Sequence, residues 1–493
     1  MLAGALGCTP PTSSWSGNQP APAKQPAAPA KVEPVKPVEP VEPVEPVAPG
    51  ERLDGRTLIA SHDGPWTVRR VGPGGFDESE PKGSGRMRET KSEGRGERGG
   101  GGGDSAPMEM RAAAPEMDSV SDGGGIGGMG SGGAALKRKR GDGPPTDAPL
   151  KAGSTDDNAD FKGYLKFLET WTSRSDVRGE FQPLDVAGRV FLKVVDGDER
   201  PLPGVAVTVS DVATKAPLWK ATTYGDGRAP YYPKLFGPGV SQGARLEVSA
   251  VVGKETLTAT WDGQSDVTLA AGGPVAAAEG LALDVVFLLD TTGSMGDELE
   301  RIKTSLLAVA DKLKGKRADL QLRFGAVAYK DLGDDYVTMA HPFTADAAAF
   351  NTAMQKLSAG GGGDLPESLN QGLARTVEGM EWRADAAKVV FLVADAAPQM
   401  RFKGDVLYGD SGVKAVGLGI RVHSVAASGL DPLGTLVLRQ IAQLTRGKFI
   451  FIEYGSTQET AAAHGVTGPV QGGNNLDEIL LAQLTAEIEG WGK

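Results

Sequence analysis

The chain has 493 residues, including 70 glycines and 33 prolines, and a formal net charge of −11. The length leaves room for two or three domains, but glycine and proline are concentrated in the first third, which therefore cannot build a large core. The negative charge argues against a general affinity for nucleic acid, and the single cysteine, Cys8, excludes an internal disulfide.

The residues before Cys8 form a pattern that is typical of a membrane-anchoring signal. Ala5-Leu6-Gly7-Cys8 resembles the end of a bacterial lipoprotein signal, in which small residues precede the cysteine that receives the lipid. The resemblance implies that residues 1–8 are a partial signal with Cys8 as the lipidation site; the alternative is an unmodified cysteine. It also implies a lipid-anchored protein of the bacterial cell envelope, at the outer membrane or cell surface. No other stretch is apolar enough to span a bilayer, so we expect membrane contact through the anchor only.

Two low-complexity regions follow. Residues 9–50 are rich in proline and alanine and repeat Val-Glu-Pro, which favours extended polyproline II and predicts a linker that holds a domain clear of a membrane. Residues 51–153 are rich in glycine, serine and charge, and we predict that they are disordered.

The sequence predicts an amphipathic helix within residues 154–184. Asn158 is the predicted cap, and the stripe that follows is apolar at helical spacing. The stripe consists of Phe161, Tyr164, Leu165, Leu168 and Trp171.

Residues 185–272 predict a small β-sandwich. Short β-rich runs alternate there with Gly, Pro and Asp turns. Two of these turns, around Asp196 to Pro203 and around Asp226, resemble the carboxypeptidase-regulatory-like and immunoglobulin-like modules of bacterial surface proteins. That resemblance implies a spacer or adhesion role.

From residue 281 onward, apolar runs alternate with segments of helical periodicity. The clearest runs are 285–289, 320–329, 388–394, 420–426 and 448–453, and helical patterns stand between or after them, the last at 476–488. This alternation predicts an α/β domain over residues 281–492, with a doubly wound, mostly parallel sheet and helices on both faces.

The first of these runs ends abruptly in polar residues. Asp290, Thr292 and Ser294 follow five apolar residues, and they fall at the carboxyl end of the predicted strand, where open α/β sheets have their ligand sites. Their oxygens alternate along the chain and can converge on one point. Such a point suits a hard cation.

Asp290-x-Thr292-Gly-Ser294 resembles the metal-ion-dependent adhesion site of von Willebrand factor A domains, whose pattern is Asp-x-Ser/Thr-x-Ser. The family has an aspartate at the end of a later strand, which Asp395 matches, and a threonine in the loop before the third main helix. Asp364 stands at that threonine position, within Gly-Gly-Gly-Gly-Asp-Leu-Pro-Glu. The resemblance implies a metal site of Asp290, Thr292, Ser294, Asp364 and Asp395, with Glu367 as a weaker candidate.

The extra carboxylate changes the expected chemistry. Sites with two carboxylates recruit a partner's Asp or Glu as the last ligand of the ion, whereas a third carboxylate neutralises the ion further. We therefore expect a divalent cation, Mg²⁺ or, favoured by the added charge, Ca²⁺ or Mn²⁺. The predicted function is adhesion or binding of a protein partner through the metal and the surrounding loops, and an acidic side chain of the partner is one possible ligand. The third carboxylate should raise metal affinity and weaken the demand for that acidic ligand. The alternative is an envelope scaffold or regulatory subunit in which the metal is structural.

Other interpretations of these residues stay open. Thr292, Ser294 and Asp364 are also helix-cap residue types. Asp-x-x-Gly-Ser after an apolar strand is similar to the nucleophile loop of phosphoaspartyl transferases, but Lys388 precedes its strand and no second acid follows Asp395. We therefore predict that the protein is not an enzyme.

Overall fold

A computed structural model describes residues 149–236, 245–276, 280–314, 316–317, 319–363, 365–402 and 404–491, and the backbone of 56–57 and 69–70. Cys8, the proline-rich linker and nearly all of the glycine-rich region lie outside the described residues, so what the sequence predicts for them stays a prediction. Among the helices described, none is both long enough and apolar enough to cross a bilayer.

The elements alternate as expected from residue 281 onward. The strands are β1 (Arg56–Thr57), β2 (Arg69–Arg70), β3 (Lys151–Thr155), β4 (Val190–Val195), β5 (Ala206–Asp211), β6 (Pro217–Thr222), β7 (Arg228–Tyr231), β8 (Leu246–Val252), β9 (Glu255–Trp261), β10 (Val267–Ala270), β11 (Leu281–Asp290), β12 (Leu320–Tyr329), β13 (Thr338–Thr344), β14 (Ala387–Ala394), β15 (Ile420–Ala426), β16 (Phe449–Ile452) and β17 (Val470–Asn475). The helices are α1 (Phe161–Thr172), α2 (Pro233–Phe236), α3 (Gly296–Lys314), α4 (Ala347–Gln355), α5 (Leu369–Gly379), α6 (Tyr408–Leu418), α7 (Pro432–Leu444), α8 (Thr457–Ala463) and α9 (Leu476–Trp491), with a short 3-10 helix at Gly293–Met295.

The largest sheet has eight strands in the order β13-β12-β11-β14-β15-β16-β3-β17. Five neighbouring strands, β12, β11, β14, β15 and β16, run parallel to one another. Strands β13 and β3 run antiparallel to the strands that they pair with. The prediction of a doubly wound, mostly parallel α/β sheet is confirmed.

The burial of strand β11 explains why residues 285–289 are an unbroken apolar run. All ten of its residues are buried, and successive side chains enter different hydrophobic clusters. Val286 and Leu288 belong to the cluster that contains α5, α6 and α7, while Phe287 and Leu289 pack with α3, α4 and α9. Because both faces are covered, residues 285–289 are apolar at both alternate positions, and the buried Asp284 earlier in the strand is paired with Arg323 and Arg383.

Strand β3 belongs to the large sheet although it lies about 130 residues before β11 in the chain. It pairs antiparallel with β16 on one side and with β17 on the other. Gly153 lies at the centre of β3, where an added Cβ would come within 2.6 Å of the Phe451 ring. The glycine-rich region predicted to end at residue 153 therefore ends earlier, and the α/β domain begins with a segment that the sequence prediction placed outside it.

The segment after β3 is tied to the same domain by a buried ion pair. Asp157 accepts two hydrogen bonds from the Arg439 guanidinium of α7, at 2.9 and 2.7 Å, and both side chains are nearly inaccessible. Helix α1 follows, and its cap is Asp160, whose carboxylate accepts from the Gly163 amide, rather than the predicted Asn158. Asn158 instead accepts a hydrogen bond from Arg189.

The strands between β3 and β11 form two small sheets. Strands β10, β4 and β7 make a three-stranded sheet, and β6, β5, β8 and β9 make a four-stranded one. Buried residues of both sheets, such as Val194 and Val248, share one hydrophobic cluster, as expected for a sandwich. Assignment of this β unit to a named module family stays a prediction.

The β unit packs against the edge of the large sheet where the parallel strands begin. The Tyr224 hydroxyl donates to the carbonyl of Ile420, the first residue of β15, at 3.2 Å. The Tyr232 hydroxyl donates to the Leu444 carbonyl at the end of α7, at 3.1 Å. An ion pair between Arg446 and Asp226 adds two contacts of 2.8 Å. These contacts lie at the end of the sheet where the parallel strands begin, opposite to the end where they finish.

Candidate metal site

Two neighbouring strands of the large sheet end in aspartates. Asp290 is the last residue of β11, and Asp395 directly follows β14. The two strands are parallel and in register, with Leu289 opposite Val393, so both carboxylates reach the same edge of the sheet. Asp290 is fully buried and Asp395 is 7% exposed. The structure therefore brings together the two carboxylates that the sequence placed at strand ends.

A chain of hydroxyl groups joins these two carboxylates. The Thr292 amide and hydroxyl both donate to Asp290 Oδ1, at 2.9 and 2.7 Å. The Thr292 hydroxyl lies 3.1 Å from the Ser294 hydroxyl, and Ser294 hydrogen-bonds the Asp395 carboxylate. Ser294 is exposed, so the cluster opens to solvent on its side. Four of the five predicted ligands thus form one cluster.

For Thr292, the structure argues against the capping alternative. Thr292 occupies the cap position of the 3-10 helix, but its side chain makes no capping hydrogen bond because its hydroxyl is directed to Asp290. The cap position of α5 is Ser368 rather than Asp364. Asp364 itself lies outside the described residues, so its role as a ligand stays a prediction.

Burial and mutual repulsion disfavour the charged forms of the carboxyl groups in the cluster. Burial, and then repulsion from Asp395, raises the pKa of Asp290, against the hydrogen bonds from Thr292. Burial also raises the pKa of Asp395, which Ser294 counteracts and Glu298 reinforces. Asp290 Oδ2 and Asp395 Oδ1 are buried and have no partner at hydrogen-bonding distance and angle within the described part of the chain, although the nearby Tyr329 hydroxyl helps to lower the pKa of Asp290. Buried acceptors of this kind are costly unless a proton or a cation satisfies them.

Glu367 adds a third carboxyl group to the cluster. Its side chain is 2% exposed, and its Oε2 accepts no hydrogen bond from the described residues. Burial, followed by repulsion from Asp290, raises the pKa of Glu367 to about 8. Its backbone is held on both sides, since its amide donates to the Ala397 carbonyl and its carbonyl accepts from the Gln399 amide. The sequence ranked Glu367 as a weaker candidate; its Oε1 lies near Thr292, since both would be 2.8 Å or slightly more from a Cβ on Gly362, and its role as a ligand stays a prediction.

The donor set fits a hard divalent cation. Carboxylate and hydroxyl oxygens are the ligands that Mg²⁺, Mn²⁺ and Ca²⁺ prefer. The described residues contain no group of three His, Cys, Asp or Glu side chains spaced to hold a metal by themselves. The predicted site therefore combines carboxylates with the hydroxyls of Thr292 and Ser294, and Asp364 stays a predicted ligand beyond the described residues.

Several residues near the site were not found by sequence reasoning. Lys330 follows β12, and its buried ammonium pairs with Asp335 at 2.8 Å and lies over the Tyr336 ring. The Tyr336 hydroxyl is 2.8 Å from the Thr291 hydroxyl. These residues sit in a loop without apolar periodicity, and only the pairing of β12 with β11 brings them to the site.

The residues needed for a phosphoaspartyl mechanism are placed differently. Lys388 lies near the start of β14, where its ammonium donates to the carbonyls of Ala384 and Ala386. It is therefore at the opposite edge of the sheet from Asp290. His423 is buried within β15 and accepts a hydrogen bond from the Lys448 amide, which is a structural role.

Comparison with known proteins agrees with the sequence motif. Residues 284–406 match the von Willebrand factor A domain family, which covers the site from β11 to the loop after β14. A 117-residue stretch is 32% identical to the alpha-protein kinase vwkA of Dictyostelium discoideum and covers 23% of this chain. It corresponds to only 18% of the length of that protein.

Solved structures with similar folds are distant. The conserved hypothetical protein BatB from Bacteroides thetaiotaomicron is 12% identical with a TM-score of 0.27, over 41% of this chain and 100% of its own. The pilus adhesin SpaC from Lactobacillus rhamnosus GG, in its open conformation, is 11% identical with a TM-score of 0.31, over 50% of this chain and 32% of its own. At these scores the similarity adds nothing to the family match.

Proposed function

We propose that the α/β domain is a protein-binding domain that uses a divalent cation held by Asp290, Thr292, Ser294, Asp364 and Asp395. The observation that carries the proposal is the pair of buried carboxylates at neighbouring strand ends, linked to each other by two hydroxyls. The family match over residues 284–406 supports the same interpretation.

Each residue has a distinct task in this proposal. Asp290 and Asp395 supply charge, while Thr292 and Ser294 supply neutral oxygens, because a hydroxyl that donates in the free state still has lone pairs for a cation. A bound ion would neutralise the carboxylates and offer a position for an acidic side chain of the partner. Asp364 and Glu367 add negative charge, which favours Ca²⁺ or Mn²⁺ over Mg²⁺ and weakens the demand for that acidic ligand.

Partner and location belong to the same proposal. The partner is a protein, and the domain is carried on a lipid-anchored envelope protein with Cys8 as its anchor and the β unit as a spacer. The kinase activity in the name of vwkA belongs to that protein, of which the matched stretch is a small part. We propose a non-catalytic role here. The alternative is a scaffold or regulatory subunit in which the cation only stabilises the fold.

Calorimetric titration of the full chain with Mg²⁺, Mn²⁺ and Ca²⁺ tests the metal site. We expect saturable binding by the wild type and its loss in Asp290→Ala. Glu300→Gln is the matched control, because Glu300 is an exposed acid on α3 that pairs with Lys303, and this variant should bind like the wild type. No binding by the wild type at millimolar metal would reject the site.

A pull-down from an envelope extract of the source organism separates the two functions. Wild type and Asp290→Ala are each compared with and without EDTA. Recovery of a partner by the untreated wild type alone supports metal-mediated binding. Equal recovery in all four samples favours the scaffold. Acid-labile labelling of Asp290 by acetyl phosphate would instead support a phosphoaspartyl enzyme.

A further inference from the structure

The glycine-rich loop before α5 lies directly against the candidate metal site. The Gly360 amide donates to the Thr291 carbonyl, and the Gly293 amide donates to the Gly361 carbonyl, both at 3.0 Å. These two hydrogen bonds join the loop to the segment that carries Thr292 and Ser294. The position of the loop and the position of the hydroxyl ligands are therefore coupled.

The loop has little to hold it except its backbone. Residues 360–363 are four consecutive glycines, which lose more conformational freedom on ordering than any other residue. Gly361 and Gly362 have φ of +75° and +65°, and there is no room for side chains. A Cβ on Gly362 would lie 2.8 Å from both Glu367 Oε1 and the Thr292 Cβ. The loop thus packs on two residues of the site and needs an anchor from elsewhere.

Asp334, in the loop after β12, provides that anchor. Its Oδ2 accepts the Gly362 amide at 2.9 Å and also the Asp331 amide at 3.1 Å. A Cβ on Gly361 would overlap the same carboxylate. Both of these hydrogen bonds come from backbone amides, so Asp334 links the glycine loop to the loop after β12.

We propose that Asp334 is a positioning residue of the metal site, which holds the glycine loop so that Thr292 and Glu367 keep the arrangement that binds the cation. The inference rests on the proposed metal-binding function. It assigns Asp334 no bond to the metal. Partners that orient ligands in this indirect way typically change metal affinity by about 10- to 100-fold when they are removed.

Two substitutions of Asp334 distinguish positioning from charge. Asp334→Ala removes the acceptor and the charge, whereas Asp334→Asn removes the charge but keeps an oxygen for the Gly362 amide. In calorimetric titrations of the full chain with Ca²⁺ and Mn²⁺, we expect Asp334→Ala to bind about tenfold or more weakly and Asp334→Asn to remain within about threefold of wild type. Equal losses in both variants would show that charge matters and would overturn positioning.

Asp335→Ala is the matched control. Asp335 is the next residue, is exposed and pairs with Lys330, so its removal changes the local charge equally without removing a hydrogen-bond acceptor of the glycine loop. We expect near-normal metal affinity. A loss equal to that of Asp334→Ala would overturn the proposal.

Amide hydrogen exchange in the metal-free protein provides a second measurement. We expect Asp334→Ala to accelerate exchange at Gly362 and Thr292, with Asp334→Asn close to wild type. Normal metal binding and normal exchange in Asp334→Ala would overturn the positioning role alone. Absence of metal binding by the wild type would overturn the proposed function and this inference together.

Discussion

Thr292 and Ser294 link the two aspartates of the cluster, and their hydroxyls also suit the proposed cation. A hydroxyl can donate to a carboxylate and can also offer its lone pairs to a metal, which neither a carboxylate nor an amide N–H can do. Without a cation, the two hydroxyls bridge Asp290 and Asp395 and remove part of the repulsion between them. The remaining strain appears as raised pKa values for both aspartates and for Glu367.

This strain predicts a pH dependence. A carboxyl group whose pKa is higher in the folded than in the unfolded state stabilises the fold at low pH, and that stability is lost as pH rises through the folded pKa. Unfolded carboxyl groups titrate near pH 4, and the pKa of Glu367 is about 8. In EDTA we therefore expect the Tm to fall by roughly 3 °C or more between pH 4.5 and 8 because of this cluster.

The same measurement with saturating Ca²⁺ or Mn²⁺ should raise the Tm more at pH 8 than at pH 5, because the ion competes with the protons. The double variant Asp290→Asn, Glu367→Gln should show a weaker pH dependence than wild type in EDTA. Equal slopes for the two proteins would contradict the assignment of the strain to this cluster.

Among the elements, β3 and the residues after it change the boundary of the domain. The sequence prediction began the α/β domain at residue 281, since nothing in the short run Lys151–Thr155 distinguishes it from its glycine-rich surroundings. Its place between β16 and β17, and the ion pair of Asp157 with Arg439, are long-range features. No local periodicity could reveal them.

The Asp157–Arg439 pair gives a prediction for this element. Asp157→Ala should lower the free energy of unfolding by about 3–5 kcal/mol, because it leaves the Arg439 charge buried without its partner. Asp176→Ala is the control, since it removes an Asp–Arg pair that is exposed on both sides, and it should lower the free energy of unfolding far less. Urea unfolding of both variants checks the difference; similar losses would argue against a structural role for β3 and its flank.

Helices and strands of the domain were predictable in proportion to their apolar content. β11, β12, β14 and β15 are buried runs and were recognised within a few residues. Elements that the sequence reading missed include β13, β17 and α8, which are largely exposed or short. Propensity and burial give such segments little signal, so tertiary pairing decides their structure.

At the scale of the whole molecule, the β unit and the α/β domain share one hydrophobic cluster and several buried hydrogen bonds. These contacts lie where the parallel strands begin, whereas the candidate metal site lies where they end. The contacts described between the β unit and the domain therefore support the domain, and none of them covers the candidate site.

The shared core predicts cooperative unfolding of these two parts. Scanning calorimetry of the full chain should show one transition for the β unit and the α/β domain, and Arg446→Ala, which leaves Asp226 without its paired contacts, should lower that single Tm. Lys215→Ala, at an exposed ion pair remote from this contact, should leave the Tm within about 1 °C of the wild-type value. Two well-separated transitions in the wild type would contradict the shared core.

The sequence by itself determined the fold class of the main domain and predicted most of the candidate site. Buried parallel strands must be apolar on both faces, so the abrupt change to Asp290, Thr292 and Ser294 marks a strand end, and Asp395 marks its neighbour. Only the tertiary structure decided that β3 completes the sheet, that Glu367 faces the cluster, and that Asp334 holds the glycine loop. Those relations join residues from separate parts of the chain through hydrogen bonds and close packing, which leave no periodic pattern in the sequence.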